Sequence, residues 1–189
     1  LRSGPFSVAI SEHGLAGELQ RPDGKVLPAM AGTANLRYGT VRRPLDRPAE
    51  VNREADRVTV KYKLPGEPEI HVDVIYRLQT DRDAVVLARE VEVRASARLK
   101  EDLTVALPNW PAALSANAWL PLVNGTTGTL GEKAAGFGFQ GPLPAGHTSL
   151  SCPMVTYQGE AGRRITAASD PYFSMLFAAD HAEWTYPKS

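Results

Sequence analysis

Val58-Thr59-Val60-Lys61-Tyr62-Lys63-Leu64, then Pro65-Gly66-Glu67-Pro68, then Ile70-His71-Val72-Asp73-Val74-Ile75-Tyr76-Arg77-Leu78, is the stretch that decides the fold class. Val58, Val60, Tyr62 and Leu64 recur at every second position, and Ile70, Val72, Val74, Tyr76 and Leu78 do the same. A period of two puts every apolar side chain on one face of an extended chain, so both runs read as half-buried β-strands. The Pro- and Gly-rich tetrapeptide between them is a turn, and Thr80-Asp81-Arg82-Asp83 is a second turn leading into a third strand over residues 84–94. Together they predict an antiparallel meander. In the third strand Val85, Leu87, Val91 and Val93 point one way with Arg89 interrupting them, while Val86, Ala88, Glu90 and Glu92 point the other, toward solvent in its far half.

Towards the N-terminus, residues 6–10 and 17–20 are shorter strand candidates. The second runs into Arg21-Pro22-Asp23-Gly24, where Pro22 pre-sets φ and Gly24 accepts a positive φ, which predicts a hairpin with a strand starting near Lys25. Residues 41–57 are dense in both charges and read as surface: a short helix opened by Pro48, with Val51 and Ala55 four apart, or a solvated connection. Residues 108–149 hold seven of the 16 Gly, five of the 15 Pro and two of the three Trp. A connection of that length without strands of its own is uncommon, so short strands and functional loops are both expected there. Residues 150–157, 164–168 and 172–179 read as three later strands, with a polar exit around Asp180 and Glu183.

The 189 residues suit one domain, with 43% apolar and 22% charged residues giving enough material for a sizeable core. Lys plus Arg equals Asp plus Glu at 21 each, so no long-range field favours nucleic acid or an anionic membrane surface. Cys152 is the only cysteine, which excludes an internal disulfide and a thiolate metal cage and leaves the compartment open, a secreted or periplasmic one included. No apolar run reaches bilayer-spanning length and the N-terminus lacks a signal-peptide layout. A chain opening on Leu1 instead of Met is expected to be processed or a piece of a longer protein.

Several patterns invite a chemical reading. Gly136-Phe137-Gly138-Phe139-Gln140-Gly141 matches the dinucleotide fingerprint formally, but Pro142 and Pro144 stand where its helix should begin, so a Gly-rich strand or bulge is expected and no cofactor. His13, His71, His147 and His181 show no i, i+2 or i, i+4 pairing, which argues against a metal site. There is no Gly-x-Ser-x-Gly elbow, so acyl transfer is not expected. Asp170, Asp180 and Glu183 cluster late and could supply the paired carboxylates that sugar hydrolysis requires, although Asp170 before Pro171 also suits a turn. Trp110, Trp119 and Trp184, with Tyr172 and Tyr186, offer flat aromatic faces for stacking on a sugar, set against the ordinary tendency of Trp to be buried. Asn124-Gly125-Thr126 is an N-glycosylation sequon or a turn.

Ile75-Tyr76-Arg77-Leu78, Ala84-Val85-Val86-Leu87, Arg89-Glu90-Val91-Glu92-Val93, the Gly-rich middle and Asp170-Pro171-Tyr172-Phe173 together resemble a galactose-mutarotase-like β-supersandwich. The resemblance implies an all-β antiparallel sandwich of supersandwich type, and carbohydrate as the ligand class. An Asn-His pair followed by aromatics, which would mark the epimerases' sugar-binding histidine, is absent. The expectation is therefore a non-catalytic ancillary domain of a carbohydrate-active protein. It would bind glycan through Trp110, Trp119, Asn124, Tyr172 and Trp184 or pack on an adjacent catalytic domain. The rivals are a sugar-acting enzyme using the late acids and a purely structural sandwich.

Overall fold

The computed structural model describes residues 1–27, 29–30, 32–81, 84–108, 118–121, 127–129, 138–140, 154–158, 164–168, 175–178 and 181–188. Those residues form strands and connections with no helix. In chain order the strands are β1 (Arg2–Ser3), β2 (Phe6–Ile10), β3 (Ala16–Arg21), β4 (Gly24–Leu27), β5 (Asn35–Tyr38) and β6 (Val41–Pro44). Next come β7 (Glu50–Arg53), β8 (Arg57–Leu64), β9 (Ile70–Asp81), β10 (Ala84–Ala95), β11 (Leu103–Pro108) and β12 (Ala118–Pro121). The last are β13 (Thr127–Thr129), β14 (Gly138–Gln140), β15 (Met154–Gln158), β16 (Arg164–Ala168), β17 (Met175–Ala178) and β18 (His181–Tyr186).

The meander read from residues 57–95 is present. It forms a sheet ordered β10-β9-β8-β7, antiparallel throughout. Directly opposed residues share a face, and the register aligns Val51, Val60, Val74 and Val91 in one row and Tyr62, Val72 and Val93 in the next. Val60 and Val72 are 0% exposed, so this face is the floor of the core. Val85, Leu87, Val91 and Val93 pack partly buried against it, on the face their alternation predicts.

The opposite wall comes from a six-stranded sheet ordered β14-β17-β18-β11-β5-β6, and a third sheet, β1-β2-β3-β4, contributes Val8, Ile10, Ala16 and Leu19 to the same core. Leu36, Val105 and Trp184 lie in register across β5, β11 and β18, followed by Tyr38, Leu103 and Tyr186. The fold is thus an antiparallel all-β sandwich in which three sheets share one core. The two main layers are stitched on both sides. Tyr186 Oη donates to the Val91 carbonyl at 3.1 Å and Arg89 Nη1 to the Pro108 carbonyl at 2.5 Å. On the far side Arg43 Nη1 donates to the Pro65 carbonyl at 3.0 Å. A fourth sheet is ordered β13-β12-β15-β16.

The hairpin predicted at Arg21-Pro22-Asp23-Gly24 forms, with Gln20 opposite Lys25 and Gly24 at φ 135°. Two expectations are corrected. The charged segment after Pro48 is neither helix nor solvated connection: Glu50–Arg53 is the edge strand β7, with Val51 opposite Val60 and Lys61 Nζ bonded to Glu50 at 2.9 Å. The cross-strand neighbours outweigh the weak helical spacing of Val51 and Ala55. Glu183 is not in a polar exit either, but lies inside β18, between Ala106 of β11 and Leu176 of β17.

Candidate functional site

The stacking candidates do not share one sheet. Trp110, Asn124 and Tyr172 lie outside the described residues, as do Asp170, Asp180 and Cys152. Trp119 sits on β12, flanked in register by Thr129 of β13 and Thr156 of β15, an interior position of the fourth sheet. Trp184 is on β18 between Val105 and Met175, half-buried and packed against the core. Its ring is therefore part of the sandwich wall. Gly138–Gln140, the centre of the Gly-rich hexapeptide, is a strand paired antiparallel with β17, the context of a sheet and not of a dinucleotide-binding turn.

Several of the described acids and histidines are engaged by neighbours. Nδ1 of His13 is 2.9 Å from the Asp46 carbonyl, and Nε2 of His71 is 2.8 Å from Glu69. His181 is opposite Pro108 on the ladder between the interior strands β18 and β11. The solvent face of the meander carries Glu50 on Lys61, Glu69 on Lys63 and His71, Glu90 on Arg77 and Asp73 on Arg94. The hydrogen bond from His71, then that from Lys63, holds the Glu69 carboxyl below the usual carboxylate range. Among the described residues no three of His, Cys, Asp and Glu converge. Apart from Asp73, which is nearly buried, the ion pairs of this face are largely solvent-exposed, each contributing little.

Concavity occurs elsewhere, at the open side of the sandwich between β6 and the turn after β8. One cleft, of about 140 Å³, is lined by Tyr38, Val41, Leu64, Pro65 and Ile70, with Arg43 and Glu67 as its charged groups. A second, of about 260 Å³, has Arg43, Arg47, Lys63, Asp46 and Tyr62 among its lining. Arg43, Leu64 and Pro65 border both, so the Arg43–Pro65 hydrogen bond stands at their junction. Neither cleft was foreshadowed in the sequence, since Arg43 and Pro65 are 22 residues apart and meet only through sheet packing. The arrangement offers reversible binding of a small group: apolar walls, two tyrosines and guanidinium donors.

β6 itself is a guarded edge. Arg42, Arg43 and Pro44 supply charge and a missing N–H, features that discourage pairing with a further strand. Comparison with protein-family models, with curated proteins and with solved structures yields no match.

Proposed function

We propose that this chain is a non-catalytic β-sandwich belonging to a carbohydrate-active protein, binding glycan through residues 108–149 with Trp119 as a principal contact. The observation that carries the reading is the way the meander β8–β10 is used. Its inner face is filled by core and its outer face carries a series of ion pairs, so the part of the resemblance that lies in residues 75–93 serves as scaffold. The folded sandwich then presents its ligand surface from other segments, of which residues 108–149 are the richest in Trp and Gly. Supersandwich type and the implied carbohydrate class rest on the sequence resemblance.

A glycan array with the intact chain, followed by calorimetric titration of the best oligosaccharide, tests this. Binding lost in Trp110→Ala or Trp119→Ala, with an unchanged circular dichroism spectrum, is the expected result. No retained glycan, or full affinity in both variants, would defeat it.

A further inference from the structure

The sandwich does not close over β6. Val41 and Arg43 are opposite Tyr38 and Leu36, which places them on the core-facing side of the sheet, yet Val41 remains 54% exposed. An apolar side chain left open on an inner face, beside a guanidinium, is unlike the guarded outer rim of the same strand. From this juxtaposition we propose that the two adjoining clefts bind a small ring compound bearing a single carboxylate, of about monosaccharide size.

The walls formed by Tyr38, Val41, Leu64 and Pro65 suit the flat, weakly polar face of a six-membered ring. Arg43 supplies the anchor. Its Nη1 is held by the Pro65 carbonyl at 3.0 Å, which fixes the guanidinium plane while leaving further N–H groups for a carboxylate. Arg47, exposed on the second cleft, adds a second cation, whereas Lys63 is engaged by Glu69 at 3.2 Å. Asp46 and Glu67, also in the linings, repel a doubly charged anion and so select a carboxylate over phosphate. The proposal stands apart from the glycan reading, which places binding in other segments.

The test is an amide-resolved NMR titration of the ¹⁵N-labelled intact chain with D-glucuronate, cyclohexanecarboxylate, D-glucose and inorganic phosphate. Saturable shifts at the amides of Tyr38, Val41, Arg43, Leu64 and Gly66 are expected with at least one carboxylate. Glucose and phosphate at the same concentration should leave them unmoved. A response to glucuronate alone identifies an acidic sugar, and a response to cyclohexanecarboxylate a ring carboxylate without sugar selectivity; either upholds the site. Arg47→Ala should weaken binding about tenfold, the loss of one hydrogen bond to a charged group. Val41→Glu, at a position exposed enough to tolerate it, should abolish binding. Absence of saturable shifts at the cleft with both carboxylates, an equal response to glucose or phosphate, or unchanged affinity in both variants overturns the proposal.

Discussion

Tyr76 Oη donates to the carbonyl of Gly14 at 2.8 Å, linking the middle of β9 to the turn between β2 and β3 across the core. One strand away Tyr62 Oη donates to the carbonyl of His13 at 3.0 Å, so two tyrosines hold adjacent carbonyls of one turn. The turn has no room for a side chain: Gly14 has φ 76°, and a Cβ there would lie 2.0 Å from Tyr62 Oη. Tyr76→Phe leaves a buried carbonyl unpaired and is expected to cost about 1–3 kcal/mol. Gly14→Ala should cost more, because strain at positive φ adds to displacement of Tyr62. Urea denaturation measures both, and a Gly14→Ala loss under about 0.5 kcal/mol would contradict the tight approach.

The same tyrosines govern behaviour at high pH. Burial raises the pKa of Tyr62 and Tyr76, and burial with the nearby Glu92 carboxylate pushes Tyr186 up to about 12. A phenol whose folded pKa exceeds its unfolded value near 10 favours the folded state fully below that value and loses the contribution as pH rises through the folded pKa. The fold should therefore hold to about pH 10 and lose stability above it. Tyrosine absorbance at 295 nm, followed together with circular dichroism, should show these three phenols ionising only with unfolding. Ordinary titration of all tyrosines in an intact fold would refute this.

How much of this was legible in the sequence depended on strand length. Residues 57–95 carry strict alternation over whole strands, and the turn chemistry at Pro65-Gly66-Glu67-Pro68 agrees with it, so the meander could be read directly. Asn35-Leu36-Arg37-Tyr38 and Val41-Arg42-Arg43-Pro44 are strands because β11 and β5 lie beside them, a cause located far along the chain. In β18, Ala182, Trp184 and Tyr186 do alternate with polar residues, but the acids at 180 and 183 masked the pattern. The site was less legible still. Trp119 and Trp184, chosen by residue type, fall into different sheets, and Trp184 proves to be packed against the core. The clefts depend on Val41 being left uncovered, which no local pattern encodes.

Leu103 and Val86 separate core from rim quantitatively. Leu103 is 0% exposed in the centre of the sandwich, opposite Tyr38 and Tyr186, whereas Val86 is 49% exposed on the outer face of β10. Leu103→Ala should destabilise by about 2–5 kcal/mol through lost burial and the cavity left behind. Val86→Ala should stay within about 0.5 kcal/mol. Thermal or urea unfolding of both variants checks the contrast, and similar losses at the two sites would mean that the layers do not pack as described.

Asp73 is the one carboxylate on the meander's outer face that is nearly buried, its side chain 10% exposed, and it lies directly opposite Glu92. Like charges opposed across a strand pair repel, so the carboxylate needs a compensating cation. Lys61, opposite on β8, is already bonded to Glu50, which leaves Arg94, whose Nη2 donates to Asp73 Oδ2, as the compensator. Arg94→Ala strands a poorly hydrated carboxylate beside a second one and should cost about 1–2 kcal/mol, toward the lower end because the guanidinium itself is largely solvated. Adding Glu92→Gln removes the repulsion and should restore part of that loss, while in the parent chain the same change should cost little. Equilibrium urea unfolding of the two single variants and the double variant measures the coupling. Strict additivity of the two changes would show that Arg94 does not offset the Asp73–Glu92 repulsion.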